Sequence, residues 1–215
     1  MGDSPLTLER NLSSYVMDNI LYKVSFPAEF HAQTAAEAAL KLNIQLSDKL
    51  EEIDKIIIET QEPAMRIISK EGSLTNYADR DHCIEYIVVW CLLNGILDSD
   101  SYSDDSASDP RIDALREKTT TLENKKYTEI YYDLNHRAIP NRVIVKLNSG
   151  KEFEEEILYP LGHKKRREEA TSFLREKFIN SMDNIDLDKD KLIDFYDIDD
   201  LDSINIYKIL ENITK

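Results

Sequence analysis

Six side chains stand out as candidates to move protons or hold anions by their type and surroundings: Lys23, His31, Arg66, Arg80, His82 and His163. His31 lies in "SFPAEFHAQTAAEAAL", just ahead of an alanine-rich run. At a helix start the positive end of the backbone dipole disfavours imidazolium, so a histidine there stays neutral and can act as a base. The plainer reading is a polar residue that caps or packs. Lys23 precedes the same loop and can hold a carboxylate as a point charge. Arg80 and His82 stand in "DRDHC", at a predicted helix start where an anion is favoured. The competing reading makes them first-turn contacts with Asp79 as N-cap. Arg66 in "MRIIS" and His163 at the head of "HKKRR" complete the set, although such a charge run is usually a solvated helix face.

These residues need elements to carry them. Residues 13–23 read as a short helix or turn leading to Pro27. From Thr34 onward Ala35, Ala36, Ala38, Ala39, Leu40 and Leu42 make a small-residue helical face. "IDKIIIET", residues 53–60, reads as a buried strand. Pro63 opens a helix, as proline does in a first turn. A loop over 72–78 leads to one predicted helix from Asp79 to about Gly95. The Ser/Asp-rich stretch 98–110 reads as loop, and 111–118 as a short helix. "TTTLEN" and "YTEIYYD" carry β-branched and aromatic residues and read as strands. "NRVIVKL" and "KEFEEEILY" flank "NSG" and predict a hairpin. A helix follows over 164–182, then two acidic helices joined near Asp199. The pattern is α+β: a small sheet with a β-hairpin packed by helices, then a helical C-terminal tail. The predicted division is 1–163 for the core and 164–215 for its helical extension.

Composition removes several functions. The 215 residues carry 42 acidic and 27 basic side chains, a net charge of -15. That excludes a phosphate-backbone binder, so no nucleic acid is expected. No apolar run reaches the roughly 18 residues that span a bilayer, so no membrane is expected. "MGDSPLTLERN" has neither the apolar core of a signal peptide nor the Arg-rich character of a transit peptide, so no targeting signal is read. Five glycines form no GxGxxG or P-loop pattern. Cys83 and Cys91 fall about 12 Å apart on one predicted helix, too far for a disulfide. No CxxC occurs, so neither a metal nor an iron-sulfur cluster is expected. "DLDKDKLIDFYD", residues 186–197, places acids at several calcium-loop positions. Lys191 stands where such a loop needs glycine, which favours an acidic amphipathic helix.

Four blocks carry more than local physics: "SYVMDNILYKVSFPAEFHAQTAAEAA", "EPAMRIISKEGSLTNYADRDHCIEY", "DPRIDALREK" and "YPLGHKKRREEA". Together, over about 13–182, they resemble the C-terminal half of the MmgE/PrpD family. The resemblance implies a hydro-lyase of propionate breakdown, taking 2-methylcitrate to 2-methyl-cis-aconitate and water without a cofactor. It implies the family's smaller α+β domain, with the all-helical N-terminal domain missing, so the chain alone is expected to be weakly active or inactive. It makes His31 the catalytic acid/base. Lys23, Arg80, His82, Arg66 and His163 become binders of a small tricarboxylate. It implies a homodimer or a helical-domain partner, in the mitochondrial matrix of a fungus or the cytoplasm of a bacterium. Two rivals stand beside it: a non-catalytic dimerisation module, and a calcium-responsive module built on the acidic tail.

Overall fold

Isoleucine at 53, 56, 57 and 58 makes "IDKIIIET" the natural centre of a sheet. In the computed structural model, which describes residues 16, 19–46, 48–182 and 190, it forms β1 (Ile53–Thr60). Three more strands join it: β2 (Thr119–Glu123), β3 (Asn141–Leu147) and β4 (Glu152–Ile157). The order is β2-β1-β3-β4. Ile57 pairs with Thr120 in parallel and with Ile144 antiparallel, and Ile144 pairs with Glu154. β3 and β4 are the predicted hairpin, closed by Gly150 N–H donating to Leu147 O at 2.8 Å.

Alanines let a helix lie close. In α1 (Gln33–Leu46), Ala35, Ala36, Ala38, Ala39, Leu42 and Leu46 are all fully buried. This face packs on β3 and β4, and also on a helix whose sequence, "IEYIVVWCLLN", is apolar nearly all round. A helix of that composition belongs inside. The chain between them supplies α2 (Glu62–Ile67), whose N-cap Gln61 accepts from Ala64 N, and α3 (Tyr77–Asp81). The apolar helix is α4 (Ile84–Asn94), ended by Gly95 at φ 67°, where its missing Cβ matters.

The single helix predicted over 79–95 is therefore two. Asn76, not Asp79, caps α3; Asp79 N donates to Asn76 Oδ1 at 2.9 Å. Cys83 is extended, and Ile84 N–H turns to Ile68 O at 2.8 Å. The polar stretch 98–110 is more ordered than a loop. Ser103 accepts from Ser106 N and caps α5 (Asp104–Ala107), and Asp109 caps α6 (Pro110–Glu117). Side chains of Ser and Asp serve there as local caps.

"YTEIYYD" is not a strand. It lies in α7 (Lys125–Tyr132), capped by Asn124 accepting from Lys126 N at 3.1 Å. Its aromatic content suggested sheet, but Tyr127 and Tyr131 are four apart and share a helix face. These elements lie in a unit spanning Met1–Lys165, and a second unit spans Arg166–Lys215. Within the second, α8 (Arg167–Ser181) carries Glu169 in its first turn, paired at 2.8 Å with Arg166 just ahead of the helix. The two tail helices and the calcium-like segment fall outside the described residues, Asp190 excepted.

Candidate active site

Pro27 and Ala28 bring the chain into a tight turn ahead of α1, and Glu29 closes it. The Glu29 carboxylate accepts from His31 N at 2.7 Å and caps the 3-10 turn Phe30–Ala32. The same carboxylate receives His31 Nδ1 at 2.8 and 2.9 Å. An ionised carboxylate only accepts, so Nδ1 carries the proton and Nε2 is the basic position of the neutral ring. Nε2 faces Tyr131 Oη on α7 at 3.2 Å. Burial pushes the Glu29 carboxyl up. The hydrogen bonds and charge of His31, aided by His82, outweigh that and hold it below its usual value.

The turn is bolted to the sheet from below. Asn141, fully buried at the start of β3, donates through Nδ2 to His31 O at 2.7 Å and to Thr34 Oγ1 at 2.6 Å. Thr34 donates on to Ile139 O at 2.6 Å. His31 therefore has its backbone fixed by the core, while Glu29 and Tyr131 hold its ring.

Three of the sequence-predicted residues gather at this turn. Lys23 places Nζ 5.1 Å from the centre of the Phe30 ring. Its segment is laid on Gly162: Tyr22 N donates to Gly162 O at 3.5 Å. A Cβ at Gly162, which has φ 89°, would run into Tyr22 O. His82 pairs with Asp81 at 2.7 Å, and Glu29 N donates to Asp81 O at 3.3 Å, so the break between α3 and α4 abuts the turn. Arg66 pairs with Glu62 at 3.7 Å beside Tyr131. Burial, then the Glu29 and Glu62 carboxylates, push the Tyr131 phenol up, and Arg66 pulls it back.

Arg80 and His163 have other duties. Arg80 is 5% exposed; its guanidinium donates to Tyr102 O at 2.7 Å and pairs with Asp104 at 2.8 Å. Arg80 lies in the last turn of α3 and His82 is its C-cap. The predicted helix-start anion site at "DRDHC" is therefore corrected. His163 is 2% exposed rather than on a solvated face; its Nδ1 accepts from Lys165 N at 3.2 Å. Burial, with the nearby Lys164 charge, lowers its pKa.

Glu29, Tyr131 and Asn141 were not singled out from sequence. Glu29 had a local signal, two residues ahead of His31 in "AEFH". Tyr131 and Asn141 reach the turn only through tertiary structure. The cysteines are free and buried, and burial with the Glu85 charge pushes the Cys83 thiol up to about 12, which leaves it inert. A polar cavity of about 610 Å³ lies between α2, α6 and β2 and contains none of these groups. Its Glu85 already accepts from Ser69 Oγ at 2.7 Å, Lys70 N at 3.1 Å and Thr121 Oγ1 at 2.5 Å. Among the described residues no group of three or more His, Cys, Asp and Glu is arranged to hold a metal ion, and no helix is long and apolar enough to cross a membrane.

Residues 26–193 match the model of the MmgE/PrpD C-terminal domain. The mitochondrial 2-methylcitrate dehydratase of Yarrowia lipolytica is 45% identical over 91% of this chain and 42% of its own length. The probable 2-methylcitrate dehydratase of Saccharomyces cerevisiae is 47% identical over 81% of this chain and 36% of its own. The 2-methylcitrate dehydratase of Escherichia coli K12 is 47% identical over 79% of this chain and 36% of its own. The chain thus spans about two fifths of the length of these relatives, and it belongs to the MmgE/PrpD C-terminal domain family.

Proposed function

We propose that this MmgE/PrpD chain supplies one wall of a site that dehydrates 2-methylcitrate to 2-methyl-cis-aconitate. The reaction takes a proton from a carbon α to a carboxylate and expels hydroxyl from the neighbouring carbon. The C–H electron pair becomes the double bond, and the hydroxyl leaves as water after gaining a proton. Such chemistry needs one group that exchanges protons near neutral pH and cations that hold carboxylates.

The observation that carries the reading is the pairing of His31 Nδ1 with Glu29 at 2.8 Å. It fixes the tautomer and presents Nε2 as the proton carrier, with Tyr131 resting on it until substrate arrives. Lys23, beside Phe30, holds a substrate carboxylate, and His82 and Arg66 add positive charge around the same turn. Arg80 and His163 act by shaping the site. The names of the relatives support 2-methylcitrate as the substrate, and the mitochondrial name of the Yarrowia relative supports a mitochondrial setting if the chain is fungal.

The test is an assay of the chain with 2-methylcitrate, alone and with the remaining length of the Yarrowia relative added as a separate polypeptide. The ultraviolet absorbance of the conjugated alkene reports product. Formation that His31→Gln removes supports the reading, and formation that survives His31→Gln overturns it. A chain that folds and pairs with the added segment yet yields no alkene is a non-catalytic module.

A further inference from the structure

A second cluster of cations lies outside the His31 turn, and its residues are held as if for a ligand. Six arginines are described in the first unit. Arg66, Arg80, Arg111, Arg116 and Arg142 each pair with a carboxylate. Arg137 is exposed and, among the described residues, has no such partner. It also sits at φ 43°, the one non-glycine residue described with positive φ. A bulky side chain is rarely left in that region without a reason, and such strain concentrates at ligand sites.

Its neighbours point the same way. Lys165 Nζ lies 2.9 Å from Tyr159 Oη and 3.4 Å from His136 Nδ1, and it pairs with no carboxylate among the described residues. Tyr159 Oη also meets His136 Nδ1 at 2.7 Å. The cluster is held by the buried His163. Its Nδ1 accepts from Lys165 N, the backbone of His136 and Arg137 comes close enough to its ring to oppose the lowering of its pKa, and Tyr159 lies against it at 4.7 Å. One imidazole thus ties the loop after α7 to the turn after β4. Asp133 stands 4.0 Å from the His136 ring, but Arg137 and Lys165 pair with no carboxylate among the described residues and are available for one from outside.

We propose that Arg137, Lys165, Tyr159 and His136 form a second carboxylate-binding subsite for a small polycarboxylate, positioned by His163. It deepens the reading above and takes the class of ligand from it. The Tyr22–Gly162 contact lays the Lys23 segment on the same turn that carries His163. The first carboxylate would meet Lys23, and a further one this cluster.

Direct titration of citrate into the chain tests this without requiring turnover. Arg137→Gly and Lys165→Met are each expected to weaken citrate binding about tenfold, the loss typical of a charged hydrogen-bond partner. Arg137→Gly should also melt no lower than the parent, because glycine accepts φ 43° without strain. Lys55→Met removes an exposed charge elsewhere and should leave binding unchanged. Citrate affinity equal to the parent in both cluster variants overturns the subsite, as does no citrate binding by the parent. Inorganic phosphate bound as tightly as citrate overturns the polycarboxylate class. If the cluster variants lose citrate while alkene formation survives His31→Gln, the subsite stands and the acid/base reading falls. The reverse pattern separates them the other way.

Discussion

His31 and His163 are both largely withdrawn from water and both have bonded rings, yet they are built for different ends. The partners of His31 are side chains: a carboxylate on Nδ1 and a phenol 3.2 Å from Nε2. Side chains can move aside and exchange protons. The partners of His163 are backbone groups at 136–137 and at Lys165, fixed by the loops that carry them. A histidine bonded to side chains can turn over a proton; one bonded to backbone holds loops together. Residue type and burial do not separate the two. The kind of partner does.

The sharpest way to break this contrast is to remove each ring. In the complemented assay His31→Gln should lower the proposed dehydration by about 10²–10⁴-fold, the range for losing a general acid or base, while the urea unfolding midpoint moves less than in His163→Leu because the glutamine amide can still donate to Glu29. His163→Leu should do the opposite to stability. It leaves the Lys165 N–H without its acceptor and removes the ring packed against Tyr159, a loss of about 1–3 kcal/mol in urea unfolding. His163→Asn should recover part of that, because an amide oxygen can still accept from Lys165. If His31→Gln proved the more destabilising of the two, the roles assigned here would be exchanged.

Acid sharpens the same comparison. His163 has a lowered pKa in the folded chain, so the unfolded chain binds its proton first. Its contribution is whole above 6.5 and is lost as pH falls below that value toward the folded pKa. Glu29 is also lowered, so its contribution is whole above 4.5 and is lost as pH falls below that. The two losses therefore begin about two pH units apart. Unfolding free energy measured from pH 7.5 downward should flatten first in His163→Leu, in the window just below 6.5. In Glu29→Gln it should flatten only in the acid window below 4.5.

How much of this was legible follows from where each partner comes from. β1 and the 141–157 hairpin could be read because isoleucine density and a glycine turn are local signals. The helix of α1 could be read from its alanines. α7 was misread because three tyrosines and a threonine look like strand, while the signals that mattered were the Asn124 cap and the four-residue spacing of Tyr127 and Tyr131. The site divides the same way. His31, Lys23, Arg66 and His82 were found by type and context, and the fold draws them around one turn. Tyr131 lies 100 residues from its histidine and Asn141 lies 110 from it, so no local pattern could announce them. Arg80 and His163 were singled out for their charge, but their burial depends on Tyr102, Asp104 and the 136–137 backbone, which only the folded chain supplies.

The finest test concerns the phenol that distinguishes the two histidines. Tyr131 Oη lies 3.2 Å from Nε2, at the long end for a hydrogen bond, and the rings lie 5.7 Å apart at 31°. In the proposed role of His31, such a contact rests on the ring between turnovers without carrying its proton. Tyr131→Phe keeps the ring packing against Tyr132 at 5.1 Å and removes only the hydroxyl. Water can replace the hydroxyl at the open edge of the ring, so stability should change by less than about 1 kcal/mol. Substrate no longer has to displace it, so KM should fall by about threefold or less, with kcat nearly unchanged. A tenfold drop in kcat at constant KM would show the opposite: Tyr131 carries the proton onward, and the unit of chemistry is the Glu29–His31–Tyr131 array rather than the imidazole alone.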